Sequence, residues 1–131
     1  MVSANRASDI EALLRFSDEQ AVDLVLVGGA EAWMVVDQLA DRSIPVIVNP
    51  LHQGPASFDA LHSRPDNATI LHQAGVPVIL SSFSSHNARK LRQCAGNAVR
   101  EGLPHDVAIA AITSVPAQAF GITDRGVLEK G

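Results

Sequence analysis

Little in this chain points to extracellular, membrane or nucleic-acid work. Among its 131 residues there is one cysteine, Cys94. An internal disulfide is therefore excluded, and a reducing compartment fits. The longest apolar runs, such as Val76–Leu80, are far too short to span a bilayer. Met1–Arg6 has no apolar stretch of the kind that opens a secretory signal. Basic residues are too few to form a patch: the net charge is −4 and the isoelectric point about 5.6. Nucleic acid and anionic membranes are thus poor partners. A cytoplasmic location is expected.

Ready-made catalytic motifs are missing as well. Five histidines occur, yet none forms a His-x-His or His-Glu-x-x-His pair, so no metal site can be read and no cofactor is expected in this chain. No Gly-x-Ser-x-Gly elbow presents a serine nucleophile. Gly28-Gly29 lacks the third glycine of a dinucleotide fingerprint. No carboxylate occurs between Asp66 and Glu101.

What is present is a chain 47% hydrophobic and 18% charged, enough for a packed core. At this length it forms one domain, residues 1–131, or a piece of a larger one. Short apolar runs alternate with amphipathic stretches, the signature of βα units and a parallel sheet. Leu24–Val27, Pro45–Val48 and Pro77–Leu80 suit strands buried on both faces, and Val2–Ala4 can add a fourth. Ser8 and Glu11 have capping-box spacing ahead of Ile10, Leu13 and Leu14. After Gly28-Gly29, a helix is expected with Trp33, Val36, Leu39 and Ala40 on one side. A further helix over about Asn67–Ala74 should end at Gly75, a left-handed cap. Then come a helix from about Ser85 and one with Val107, Ile109 and Ile112 inward. A short one beginning at Ser114 follows. Trp33 and Phe120 are expected to pack, and Cys94 to be a buried thiol.

Right-handed crossovers would place the helices on one face of a curling sheet. The fold class is therefore α/β, a partial (β/α)8 barrel of three to four parallel strands. Such a sheet exposes Val, Ile and Leu on its inner face. Cover is expected from a missing segment, a helix of the same chain or a second copy, and a homo-oligomer follows.

Candidate site residues cluster where strands end. Gly28–Glu31 has backbone amides at a strand-to-helix turn, which suit an anion, although most such turns are plain geometry. Glu31 can instead serve the helix dipole. His52 and His62 lie in the irregular stretch Asn49–Pro65, and loops of that length are often functional. Ser82, Ser84 and His86 follow the last strand, where barrel enzymes keep their chemistry, although Ser85 as a helix cap accounts for the same run. Asn5, Gly29, Glu31 and His52 are the candidates for a small polar ligand; His86, Ser84 and Ser82 are those for catalysis. His72 and the Arg89, Lys90 and Arg92 stretch fit solvated helix surface.

One run carries a resemblance. His86–Gln93, Ala95–Val99, Gly102–Pro104, Ala111–Ala117 and Phe120–Ile122 resemble the segment after the eighth barrel strand of imidazolonepropionase-related amidohydrolases. Asn5–Ile10 and Val27–Trp33 are similar to that family near its fifth and sixth strands, and Pro50–Asn67, with Phe58–Leu61, agrees too. The resemblance implies the C-terminal half of a barrel, cut from a longer protein. It also implies metal-dependent hydrolysis of an amide-type C–N bond, with a divalent metal such as zinc activating water. The family's first-strand His-x-His pair is absent here. Ser82–Ser84 stand where an aspartate usually binds metal. Three outcomes follow: a half-barrel inactive as this chain, a non-enzymatic binding or assembly module, or a hydrolase completed by two chains.

Overall fold

The computed structural model describes residues 1–51, 54–55 and 57–128. Four strands, β1 (Val2–Ala4), β2 (Leu26–Gly28), β3 (Val46–Val48) and β4 (Val78–Leu80), lie side by side in chain order, and every pairing is parallel. Parallel neighbours need crossovers, and helices supply them. They are α1 (Ala7–Gln20), α2 (Val36–Asp41) and α3 (Asn67–Gln73). After β4 the chain continues through α4 (Leu91–Arg100), α5 (His105–Ala110) and α6 (Ser114–Ala119). The short opening strand is real: Val2 N–H donates to the Val25 carbonyl at 3.0 Å.

Alternation along each strand sends one set of side chains toward the helices. Leu26, Val46, Val48, Val78 and Leu80 meet Ile10, Leu14, Leu39 and Leu71 in a single core. Burying each such large apolar side chain contributes about 1.5–3 kcal/mol. Gly75, at φ +87°, ends α3 as expected: its N–H donates to the His72 carbonyl at 2.9 Å. Cys94 is fully buried, and that burial pushes its thiol pKa up.

Several helix details differ from expectation. Ser8 is not a cap, because α1 begins at Ala7 with Arg6 before it and no side-chain cap bond there. The orphan Ala7 N–H is met by Glu31 Oε2 at 3.0 Å, from the far side of β2. The helix after β2 opens as a 3₁₀ turn over Ala32–Val35, whose tighter period turns Ala32, Val35 and Leu39 inward and Trp33 aside. Ser85 likewise begins a 3₁₀ stretch, Ser85–Lys90, and α4 proper starts at Leu91. In α5 the buried position is Ala108, followed by Ala111 just past its end, leaving Ile109 44% exposed. Phe120 is 48% exposed rather than packed, and His72 is half-buried.

Part of the inner face is covered. Ile47 and Ile79 point away from the helix-side core, yet they are 8% and 4% exposed. Leu80 N–H donates to the Ala111 carbonyl at 3.0 Å on the free edge of β4, and α6 packs against β4. Ala117 of α6 is buried, and Ala119 lines a hollow with Val25 and Pro45 beneath β2 and β3. The segment after α5 and helix α6 therefore lie against the β4 edge, and the end of α6 reaches beneath the starts of β2 and β3. On β1 the inward-facing Ser3 is exposed.

Candidate functional site

A cleft of about 480 Å³ opens at the C-terminal ends of the strands. Its wall includes Ser3 of β1 and Asn5 just after it, Val27 and Gly28 of β2, Val48 of β3 and Asn49 just after it, and Phe83 after β4. This is the end at which barrel enzymes work.

The β2 turn is built around Asn5. Gly29 N–H donates to the Ala4 carbonyl at 2.8 Å, and Glu31 N–H to the Asn5 carbonyl at 2.9 Å. Ala30 N–H points to Asn5 Oδ1 at 3.4 Å. The amides of Gly29, Ala30 and Glu31 are thus each engaged within the fold. Gly28 sits at φ +97°, and a Cβ there would stand 2.6 Å from Asn5 Oδ1. Only glycine lets the turn close over the asparagine.

The long loop after β3 is tied down by polar contacts. Asn5 Nδ2 donates to Asp59 Oδ2 at 2.8 Å, and Arg6 donates to the Phe58 carbonyl at 3.1 Å. Trp33 Nε1 donates to the His62 carbonyl at 3.0 Å, while Arg64 lies 4.9 Å over the Trp33 ring. His62 Nδ1 meets Glu31 Oε1 at 2.7 Å. Glu31 is 8% exposed, and the Ala7 N–H together with His62 holds its carboxyl below the usual range despite desolvation. Asp59 is held low by the Ser57 hydroxyl and the Asn5 amide.

The sequence candidates scatter. Asn5 shapes the cleft. Gly29 underlies it through its carbonyl, which accepts from Asn67 Nδ2 at 2.9 Å. Glu31 and His62 form a tether joining α1, the β2 turn and the loop. His52 lies outside the described residues. Ser82 Oγ donates to the Ser84 carbonyl at 3.0 Å, and neither serine is in the cleft wall. His86 is exposed on the 3₁₀ stretch, also away from the wall. The residue between those serines, Phe83, does enter it, held at φ +53° with its N–H on Ser81 Oγ at 3.1 Å. Sequence reasoning missed Phe83, Ser63 and Asn67. Asn67 gave a signal of sorts, as a polar residue opening a helix directly above a strand end.

With that geometry in view, comparisons with known proteins are informative. No protein-family model matches the chain. A protein described as amidohydrolase tasK, from Hapsidospora irregularis, is 31% identical over 88 residues, covering 62% of this chain and 9% of that protein. The crystal structure of an amidohydrolase from Thermotoga maritima MSB8 matches with a TM-score of 0.89 and 27% identity. These likenesses support the amidohydrolase superfamily. The solved structure matches over 97% of this chain but only 34% of its own, so the chain spans about a third of an amidohydrolase of known structure. Four parallel βα units of that kind make a partial barrel.

Amidohydrolase-type hydrolysis implies a divalent metal, and the described donors at these strand ends do not fit one. Among the described residues, no group of three or more His, Cys, Asp or Glu side chains is placed to hold a metal ion. The described wall offers amides and hydroxyls, and its one charged group, Arg64, is paired with Asp66 at 2.7 Å. Hard or borderline divalent ions take imidazole, carboxylate or thiolate as their principal ligands.

Proposed function

We propose that these four βα units correspond to the second half of an amidohydrolase-type barrel, which does not hydrolyse C–N bonds with its own residues and uses the strand-end cleft to hold a small polar molecule. One observation carries this reading: the described cleft wall contains no imidazole, carboxylate or thiol. Hydrolysing an amide near neutral pH needs a metal-bound water or a positioned base. Asn, Ser and a paired Arg supply neither, but they suit recognition by hydrogen bonding. A reducing, cytoplasmic setting fits the single buried thiol.

The test joins elemental mass spectrometry on protein purified without chelators to hydrolysis assays on N-acyl amino acids. Metal far below one ion per chain, with no turnover, is the expected result. Near one zinc per chain, with turnover, would sink the reading.

A second reading rests on the open side of β1, where Val2 and Ser3 are exposed and no described strand pairs. There a second copy of the chain closes over the sheet, giving a homo-oligomer. If two half-sites meet across that contact, a complete hydrolase could be assembled from two chains.

A further inference from the structure

The connection between β3 and α3 makes a detour over the strand ends. It leaves β3 at Val48 and enters α3 at Asn67, yet its middle is bonded to the residues just after β1, two strands away. On the way back it is bonded to Glu31, just after β2. Ser57 and Ala60 from this crossing share the cleft wall with Ser3, Asn5 and Gly28. Ser57–His62 is therefore a strap across the ends of three strands.

The contacts that hold the strap down are polar. Asp59 Oδ2 accepts from Asn5 Nδ2 at 2.8 Å, and the Phe58 carbonyl accepts from Arg6 at 3.1 Å. His62 meets Glu31 through Nδ1 at 2.7 Å, and its carbonyl accepts from Trp33 Nε1 at 3.0 Å. No side chain of the strap is buried to anchor it: Ala60 is half-buried and the other five residues are exposed, Phe58 by 83%. Exposed polar contacts each contribute little, and a segment without buried apolar contacts opens locally while the core stays shut. Just beyond the strap the chain is firm again. Arg64 holds Asp66 through Nε at 2.8 Å and NH2 at 2.7 Å, and Asn67 and Ala68 are buried.

We propose that Ser57–His62 is a lid that swings open as one body about Arg64–Asp66, releasing Asn5, Arg6, Glu31 and Trp33 together and opening the strand-end cleft. Its role as a gate rests on the cleft being a binding site, as argued above. Its motion does not, and can be followed without a ligand.

Trp33 is the only tryptophan, so its indole N–H gives a single NMR signal at the inner end of the lid. Asp59→Ala cuts the latch at the outer end without touching Trp33. If the lid moves as one body, this change should speed exchange of the indole N–H with solvent about threefold or more. Access to the cleft is read from Ser63→Cys, at a position whose hydroxyl is buried in the cleft wall. The introduced thiol should react faster with methyl methanethiosulfonate when Asp59→Ala is added. Cys94, fully buried on α4, should stay unlabelled throughout. Unchanged indole exchange in Asp59→Ala overturns the one-body lid. Faster exchange accompanied by labelling of Cys94 overturns it as well, because the whole fold is then opening. Faster exchange with no gain in labelling at position 63 overturns the gate, since the cleft stays covered while the strap moves.

Discussion

The two halves of the sheet differ both in composition, Val-Ser-Ala and Leu-Val-Gly against Val-Ile-Val and Val-Ile-Leu, and in surroundings. Every residue of β3 and β4 is buried. In β1 only Ala4 is buried, and in β2 only Leu26. Yet Leu24–Val27 is as continuous an apolar run as Val46–Val48. Burial along the sheet therefore follows composition and neighbours together: β3 and β4 hold only Val, Ile and Leu and have α6 against β4, whereas β1 and β2 include Ser3, Ala4 and Gly28. The β3–β4 side has α6 against it, whereas the β1–β2 side leans on polar tethers. Those tethers are Glu31 to Ala7 and His62, Gln38 to Glu11, and Arg42 to Asp18.

The sharpest way to break this contrast is to truncate one inner-face residue on each side. Ile79→Ala should cost about 2–4 kcal/mol in chemical denaturation, the penalty for a cavity in a packed interior. Val27→Ala, on the half-buried side, should cost under about 1 kcal/mol. Equal costs would mean that β2 is covered too. Sedimentation would then decide between a second copy, with Val27→Ala lowering the mass in solution, and cover from within one chain.

The next effect concerns the tether at Glu31. Glu31→Gln keeps an acceptor but loses the charge shared by the Ala7 N–H and His62, and should cost about 1–2 kcal/mol near neutral pH. The sign of the pH dependence follows from the lowered folded pKa. The carboxylate's contribution is complete above the ordinary glutamate range and is lost as the pH falls through the lowered folded value. Wild type and Glu31→Gln should therefore converge in stability in acid. A gap that persists below that range would show that the cost does not come from the carboxylate's charge.

The fold was largely legible in the sequence, and the site only partly. Strands at Val46–Val48 and Val78–Leu80 were plain because apolar runs of that length between turn signals suit buried parallel strands. Helix entry points were less visible. Ser8 has the right local chemistry for a cap, but a carboxylate from beyond β2 reaches the helix first, and no local pattern encodes that. Trp33 turned aside because a 3₁₀ turn changed the phase of its helix. Asn5, Gly28 and Gly29 were visible as strand-end residues, while their mutual fit depends on two turns meeting in space. Asn67 was legible as a polar helix start, but its bond to the Gly29 carbonyl was not.

The smallest effect lies at the surface of the tethered half. Arg42 donates to Asp18 through Nε at 3.2 Å and NH2 at 2.9 Å, joining α2 to the end of α1. Both side chains are well exposed, so the pair adds little beyond orientation. Arg42→Ala should lower Tm slightly at low salt. In about 1 M salt, where charges are screened within about 3 Å, the difference from wild type should vanish. Ile79→Ala should keep its full deficit at that salt, because the contact it loses is apolar. If Arg42→Ala is instead unaffected by salt, the polar contacts of the β1–β2 half are incidental. The halves would then differ only in how much apolar surface the C-terminal helices reach.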